Sequence, residues 1–292
     1  MRRSAFILSL CLLLGAADAI AQSPRLTRHG TLFGLGRTSL QDTYLSPLHY
    51  SGAQLMFLSE TQRTTALRDS SITYQTLLQG DFFTTENPAS NADILGGTLR
   101  YDLGWLFHII SQPARPSPLS SPLPSLKERG RGESLSFSLG PQIGGSIGGL
   151  YNTRNGNNPA QAILDIHLSA AANAEWRFRL WKHCFTLREQ MDIPLMGLMF
   201  SPNFGQSYYE LYSLNNTDHN ICFTHPFNAP SLRNRLTIEI PLRWCTLQAG
   251  YLLDIRQSKV NEISRHIVTH AFLIGWTRQL MIVPQKAKKK DT

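Results

Sequence analysis

QAILDIHLSAAANAEWRFRLW, residues 161–181, is the stretch whose reading decides the fold. Every even position from Ala162 to Leu180 is apolar, ending in Trp176, Phe178 and Leu180. The odd positions carry Asp165, His167, Ser169, Asn173, Glu175, Arg177 and Arg179, with Ile163 and Ala171 the apolar exceptions. A period of two gives a β-strand with one apolar and one wet face. A helix would scatter Glu175, Arg177 and Arg179 around its circumference beside Trp176 and Phe178, so it has no apolar stripe to bury. The run far exceeds an ordinary strand of five or six residues. At roughly 3.3 Å per residue it is long enough to cross a bilayer at a tilt and project beyond it. It reads as a transmembrane strand.

The N-terminus agrees with export. Arg2 and Arg3 precede an apolar core from Ala5 to Leu14, and Ala19-Ile20-Ala21 supplies a small-x-small cleavage site. That pattern is a secretory signal peptide over residues 1–21, cleaved near Ala21. Leu10 before Cys11 is not the small residue that lipoprotein processing needs. No later segment approaches eighteen uninterrupted apolar residues, so no transmembrane helix is expected. Charged residues make up 16% of the 292-residue chain, below the ~25% of ordinary soluble domains. Low charge, alternation and the lack of a long apolar run together fit an outer-membrane barrel. The net charge of +8 is spread along the chain, so nucleic acid is not an expected partner. Outer-membrane lipid and the barrel assembly machinery are. Cys184, Cys222 and Cys245 show no CxxC spacing and no His at metal-ligand spacing. No disulfide, metal or cofactor is assigned.

Ten strands are predicted, at 31–38, 53–64, 71–83, 95–110, 134–149, 161–181, 184–200, 233–242, 245–256 and 265–280. Residues 40–52 read as a loop, 201–232 as the longest loop, and QSKVNEIS (257–264) as another. Residues 112–133, QPARPSPLSSPLPSLKERGRGE, are too rich in Pro and Ser to pack and read as a disordered insertion. Residues 281–292 read as a basic tail, and 22–280 as the barrel. The fold class is therefore all-β, an antiparallel transmembrane β-barrel of about ten strands (8–12). The odd-numbered connections are long or polar and place outside, while the short even ones place in the periplasm. Parity sets two hairpins. A two-residue turn at Lys182-His183 puts Phe178 opposite Leu187 and leaves Glu189 facing lipid opposite Trp176. A turn at Arg243-Trp244 pairs Ile240 with Leu247 and Leu236 with Tyr251. Trp105, Phe107, Trp176 and Phe178 crowd strand ends, as girdle aromatics do.

Residues 42–52, Asp42-Thr43-Tyr44-Leu45-Ser46-Pro47 with Tyr50 and Gly52, followed by QLMFLSETQRTT, resemble a motif of uncharacterised exported proteins from Bacteroidetes. The resemblance spans most of the chain after the signal peptide. It implies an outer-membrane β-barrel and brings no activity or catalytic residue with it.

The wet faces carry Arg100, Asp102, Asp165, His167, Glu175, Arg177, Arg179, Arg188, Asp192, Arg235, Glu239, Asp254 and Arg256. In a barrel this narrow, side chains largely fill the interior, so the favoured reading is mutual ion pairing in a plugged lumen. The role is then structural or in surface interaction. The sharper alternative is an outer-membrane hydrolase. Asp165 would polarise His167 near the outer rim, with Asp254 at the corresponding end of the ninth strand, to activate water or a Ser. A narrow pore is a third reading, and a soluble β-sandwich the alternative fold. No Gly-x-Ser-x-Gly, HExxH or P-loop occurs. Asp42, Tyr44 and Tyr50 in the first loop and Tyr208 and Tyr209 in the seventh are candidate contacts for an extracellular ligand or glycan. Against that, in the first loop Asp42 and Pro47 set a turn and its tyrosines anchor it at the membrane boundary.

Overall fold

The computed structural model describes residues 25–66, 71–112, 133–180, 183–242 and 245–282. The expected signal peptide, residues 113–132 of the expected insertion, residues 283–292, and residues 67–70, 181–182 and 243–244, where turns are expected, lie outside them.

Ten long antiparallel strands close into a barrel. They are β1 (Arg25–Asp42), β2 (Ser46–Ala66), β3 (Ser71–Glu86), β4 (Asp93–Gln112), β5 (Ser134–Asn152), β6 (Ala160–Leu180), β7 (His183–Phe200), β9 (Ser231–Pro241), β10 (Thr246–Val260) and β11 (Ile263–Ile282). Each pairs with its sequence neighbour, β7 pairs with β9, and β1 pairs with β11 from Arg25↔Ile282 to Asp42↔Arg265 to close the cylinder. Closure leaves no long free edge. A short β8 (Ile221–Thr224) and a one-turn helix α1 (Tyr208–Ser213) interrupt the seventh connection. The helix begins on a capping box, with Ser207 accepting from the Glu210 amide and Glu210 accepting from the Ser207 amide.

Alternation sorts the two faces as the sequence implies. On β6 the even residues Leu164, Ile166, Leu168, Trp176 and Leu180 point outward and His167, Ser169 and Asn173 are buried inside. The other strands add Phe33, Leu35, Leu55, Phe82, Leu99, Ile147, Leu198, Phe272 and Ile274 to an exposed apolar outer surface. Aromatic contacts near the even-numbered connections include Tyr74 with Trp105 at 5.9 Å and Trp176 with Phe178 at 4.6 Å. The inner face is not uniformly polar. Leu32, Met56, Leu58, Leu77, Leu252, Ala271 and Leu273 form one inward cluster, which is why the two faces of β2 cannot be ranked from sequence.

Several boundaries differ from the sequence reading. Residues 40–52 are not a loop: β1 runs to Asp42, the turn is Thr43–Leu45, and β2 starts at Ser46. The register shifts between Leu40↔Tyr50 and Asp42↔Ser46, so Pro47, which has no N–H to give a ladder, sits in the irregularity. QSKVNEIS is not a loop either. Asn261 and Glu262 turn the chain in two residues with φ of 50° and 62°, the type I′ geometry of a tight hairpin, with Glu where Gly is usual. The odd-side length therefore comes from connections three, five and seven alone.

At β6–β7 the pairing is Leu180↔His183, Phe178↔Phe185 and Trp176↔Leu187, two residues from the expected register. Residues 181–182, not Lys182-His183, lie between the strands. Parity survives, because a shift of two keeps each side chain on its face. Glu189 does face outward, but opposite Ala174, and it accepts from Asn234 Nδ2 at 2.8 Å. The β-bulge in this hairpin lies farther along, between Leu168 and Ser169. The β9–β10 register is as expected, with Ile240↔Leu247 and Leu236↔Tyr251.

Closure through β1 and β11 has a direct test in a background with Cys184, Cys222 and Cys245 changed to Ser. Leu35→Cys with Phe272→Cys joins outward residues directly opposite each other and is expected to form a disulfide on mild oxidation. Leu35→Cys with Leu273→Cys, on opposite faces, should not. Equal cross-linking of both pairs contradicts the register.

Candidate functional site

Inward positions of seven strands bring charged and amide side chains together. Arg233 on β9 holds Asp192 on β7 (Nη2–Oδ2, 2.7 Å), Asp102 on β4 (3.0 Å) and Gln79 on β3 (3.3 Å). Arg28 on β1 pairs with Glu60 and reaches Glu239 on β9. Arg235 pairs with the same Glu60 at 2.8 Å. Arg188 on β7 binds Glu175 on β6 and the Gln62 carbonyl on β2, both at 2.6 Å. Gln75 on β3 donates to Gln190 on β7 at 2.9 Å. Several of these bonds join strands that are not neighbours in the sheet, so they cross the interior. With Arg233, Asp102 and Asp192 all 3% exposed or less, an unpaired charge here would carry a full desolvation penalty.

Asp165 and His167 do meet. His167 Nδ1 lies 2.9 Å from Asp165 Oδ1, while Nε2 faces Asp102 Oδ1 at 3.3 Å and Arg100 Nη2 at 3.1 Å. Both ring nitrogens are thus engaged by fixed charged groups. Ser146 Oγ donates to Asp165 at 3.3 Å and not to the ring. Nucleophilic catalysis needs a hydroxyl–His contact, and the contacts of the His167 ring are instead to Asp165, Asp102 and Arg100. Gly144 completes the packing: a Cβ there would come within 1.9 Å of Asp102 Oδ1 and 2.8 Å of His167 Nε2. Asp254 stands apart from that pair, 3.6 Å from Arg256 Nε.

Above the charged layer lies an apolar one. Leu40, Tyr44, Leu45, Tyr50, Phe83, Ile94, Leu150, Ile163, Ile263 and Ile267 form a buried cluster, against which Tyr208 packs. The Thr43–Leu45 turn is drawn inward. The Asp42 carboxylate accepts from the Tyr44 amide (3.0 Å), Tyr44 Oη donates to the Gln206 carbonyl (2.8 Å), and Asn152 donates to the Leu45 carbonyl (3.3 Å). Tyr208 Oη accepts from the Ala162 amide at 2.6 Å. Tyr44 and Tyr208 meet edge to face at 6.1 Å. Burial pushes the Tyr44 and Tyr208 hydroxyls upward. Of the tyrosines singled out in the sequence, Tyr44 and Tyr50 are inside and Tyr209 is 68% exposed.

Sequence reasoning missed Arg28, Glu60 and Arg233 as members of the network. Arg28 and Arg233 lie at strand starts placed too late or at the boundary itself, and Glu60 lies on a strand with two partly apolar faces. Their parity was the available signal. Cys184, Cys222 and Cys245 are free thiols.

The sequence profile of a family described as "Protein of unknown function (DUF3316)" matches residues 5–287. The chain belongs to that family. No curated protein matches it. Among solved structures, the transport unit of the autotransporter AIDA-I from Escherichia coli is similar at 9% identity and a TM-score of 0.40, over 87% of this chain and 90% of that one. The translocator domain of the autotransporter NalP from Neisseria meningitidis gives 9% identity and a TM-score of 0.35, over 94% and 96%. The COG4313 outer membrane channel from Pseudomonas putida F1 gives 10% identity and a TM-score of 0.33, over 87% and 95%.

The network makes Arg233→Met informative, because it removes the charge at similar volume and leaves Asp192 and Asp102 short of a partner. The expected loss is about 3–5 kcal/mol, read from the denaturant midpoint of refolded protein. A change within about 0.5 kcal/mol would mean that water already solvates these carboxylates.

Proposed function

We propose that this family member is an outer-membrane β-barrel with a largely plugged lumen, exported by its N-terminal signal peptide and acting in a structural or surface-interaction role. The apolar outer surface supports the location. Residues such as Leu35 (67% exposed), Phe272 (74%) and Ile274 (61%) form part of an apolar surface on strand after strand, more than a soluble monomer tolerates. Strands of 16 to 21 residues, such as β3 and β6, exceed the 9–11 that a tilted crossing needs, leaving walls to stand clear of the bilayer. Outer-membrane lipid and the assembly machinery are then its obligate partners.

The observation that carries the plugged-lumen reading is the set of cross-barrel bonds from Arg28, Arg188 and Arg233. A diffusion channel needs a wider barrel or a cleared centre, whereas here charged layer and apolar layer succeed each other along the axis. Contact with an extracellular ligand or glycan falls to the seventh connection, where Tyr209 and Tyr212 stand exposed at 68% and 80%.

Two measurements test this. Ile274→Arg is expected to cost about 2–4 kcal/mol of refolding stability in lipid if the residue sits at mid-membrane depth; a neutral effect speaks for a soluble protein. Purified protein in planar bilayers is expected to show no steady single-channel conductance, and a regular open conductance would replace the plug with a pore.

A further inference from the structure

The barrel wall has a break. β7 pairs with β9 over Thr186–Asp192 and with β8 over Gly197–Phe200. Among the described residues, no ladder pair joins Ile193–Met196 to the intervening 225–230 segment. That segment folds on itself, with the Asn228 and Ala229 amides donating to the His225 carbonyl, and its Asn228 and Pro230 carbonyls accept from β10. Pro194, Pro226 and Pro230 cannot donate from their nitrogens, so they remove ladder bonds at this place. On the β7–β6 side, the bulge adds a residue at the same height. Phe227 protrudes from the break at 96% exposure, with Met196, Leu198, Ile221 and Phe223 exposed nearby at 49–63%.

Behind the break lies a partly open cavity of about 90 Å³. Pro194, Met199, Thr224 and Ala229 line it from the two sides of the break, and Arg100, Arg256, Arg265, His167 and Asp165 from the lumen. The lining is cationic in sum. Asp165 is committed to His167 and Ser146, and Arg100 to Asp102. Arg256 donates Nη1 to Thr98 at 3.2 Å, but its Nε and Nη2 lie 3.6 and 3.9 Å from Asp254 and Asp81, beyond hydrogen-bond reach. Those two nitrogens and Arg265 Nη1 are buried without an acceptor. Buried donors left unmade are costly, and oxyanions are their best-matched partners.

We propose that this cavity binds the anionic head of an amphiphile, a carboxylate or phosphate, while its apolar chain leaves through the β7–β9 break into the membrane. The volume decides between a head group and a whole lipid: a cavity of about 90 Å³ is smaller than the roughly 150 Å³ cavity that takes one benzene, room for a head and the start of a chain only. Ser258 and Gln257 supply further donors around it. The path for the chain rests on the outer-membrane reading. If that reading is wrong, fractionation shows it; if the site is wrong, only binding does.

The test is equilibrium dialysis of full-length protein in neutral dodecyl maltoside, with laurate, acetate, dodecyl phosphate and inorganic phosphate as probes. Saturable laurate and dodecyl phosphate binding is expected, at least tenfold tighter than acetate or inorganic phosphate. Arg256→Gln and Arg265→Gln should each weaken it about tenfold or more. Ala229→Trp, placed where the cavity meets the break, should weaken laurate and dodecyl phosphate more than acetate and inorganic phosphate. Arg265→Gln, outside the main ion-pair network, keeps the test open if Arg256→Gln does not fold. Three results overturn the proposal: no saturable laurate binding, short-chain anions binding as tightly as long ones, or affinity unchanged in the folded arginine variants.

Discussion

Arg233 reaches from β9 across the interior to Asp102 on β4 and Gln79 on β3 while holding Asp192 on β7, and ties of this kind govern the inside of the barrel. Ten strands enclose too little space for bulk water to solvate a ring of charges, so the buried guanidiniums lie against carboxylates, two of them sharing one where Arg28 and Arg235 meet Glu60. Such pairs add little net stability compared with apolar packing, but breaking one is expensive. Their geometry therefore specifies register: a one-residue slip of any strand would turn its charged row toward the outside. The apolar outer face imposes the same constraint from the other side.

The two layers inside have different work. The charged layer ties β1, β2, β3 and β4 to β6, β7 and β9. The apolar layer, centred on Leu40, Tyr44, Phe83 and Ile263, closes over it with the Thr43–Leu45 turn folded inward and Tyr208 packed beside it. Asp165 and His167 sit between the layers. Their proximity resembles a catalytic pair in sequence, yet with Asp102 and Arg100 at the second ring nitrogen they serve as one more node of the network.

Much of this was legible in the sequence, because a period of two survives errors in the ends of strands. Fold class, strand number, the inward set on β4 and β6, and the β9–β10 register all follow from parity. What was not legible depended on turn geometry. The Asn261-Glu262 turn lacks the usual Gly, so a hairpin passed for a loop, and Pro47 hid a strand that continues past an irregularity. The β6–β7 register was misjudged by two residues because parity cannot distinguish shifts of an even number. The candidate site was legible as neighbours on one strand. Its partners Asp102, Arg100 and Arg233 come from other strands, and only closure brings them together.

The central claim, that inward charges pair across the barrel, is tested most directly by a double-mutant cycle on Arg28 and Glu239, 211 residues apart in sequence. Arg28→Met, Glu239→Gln and the double variant would be unfolded with denaturant after refolding in lipid. The account predicts a coupling energy of about 2 kcal/mol or more, with the double variant less destabilised than the sum of its parts. Effects that add within about 0.5 kcal/mol would contradict it, because the two side chains would then be solvated independently.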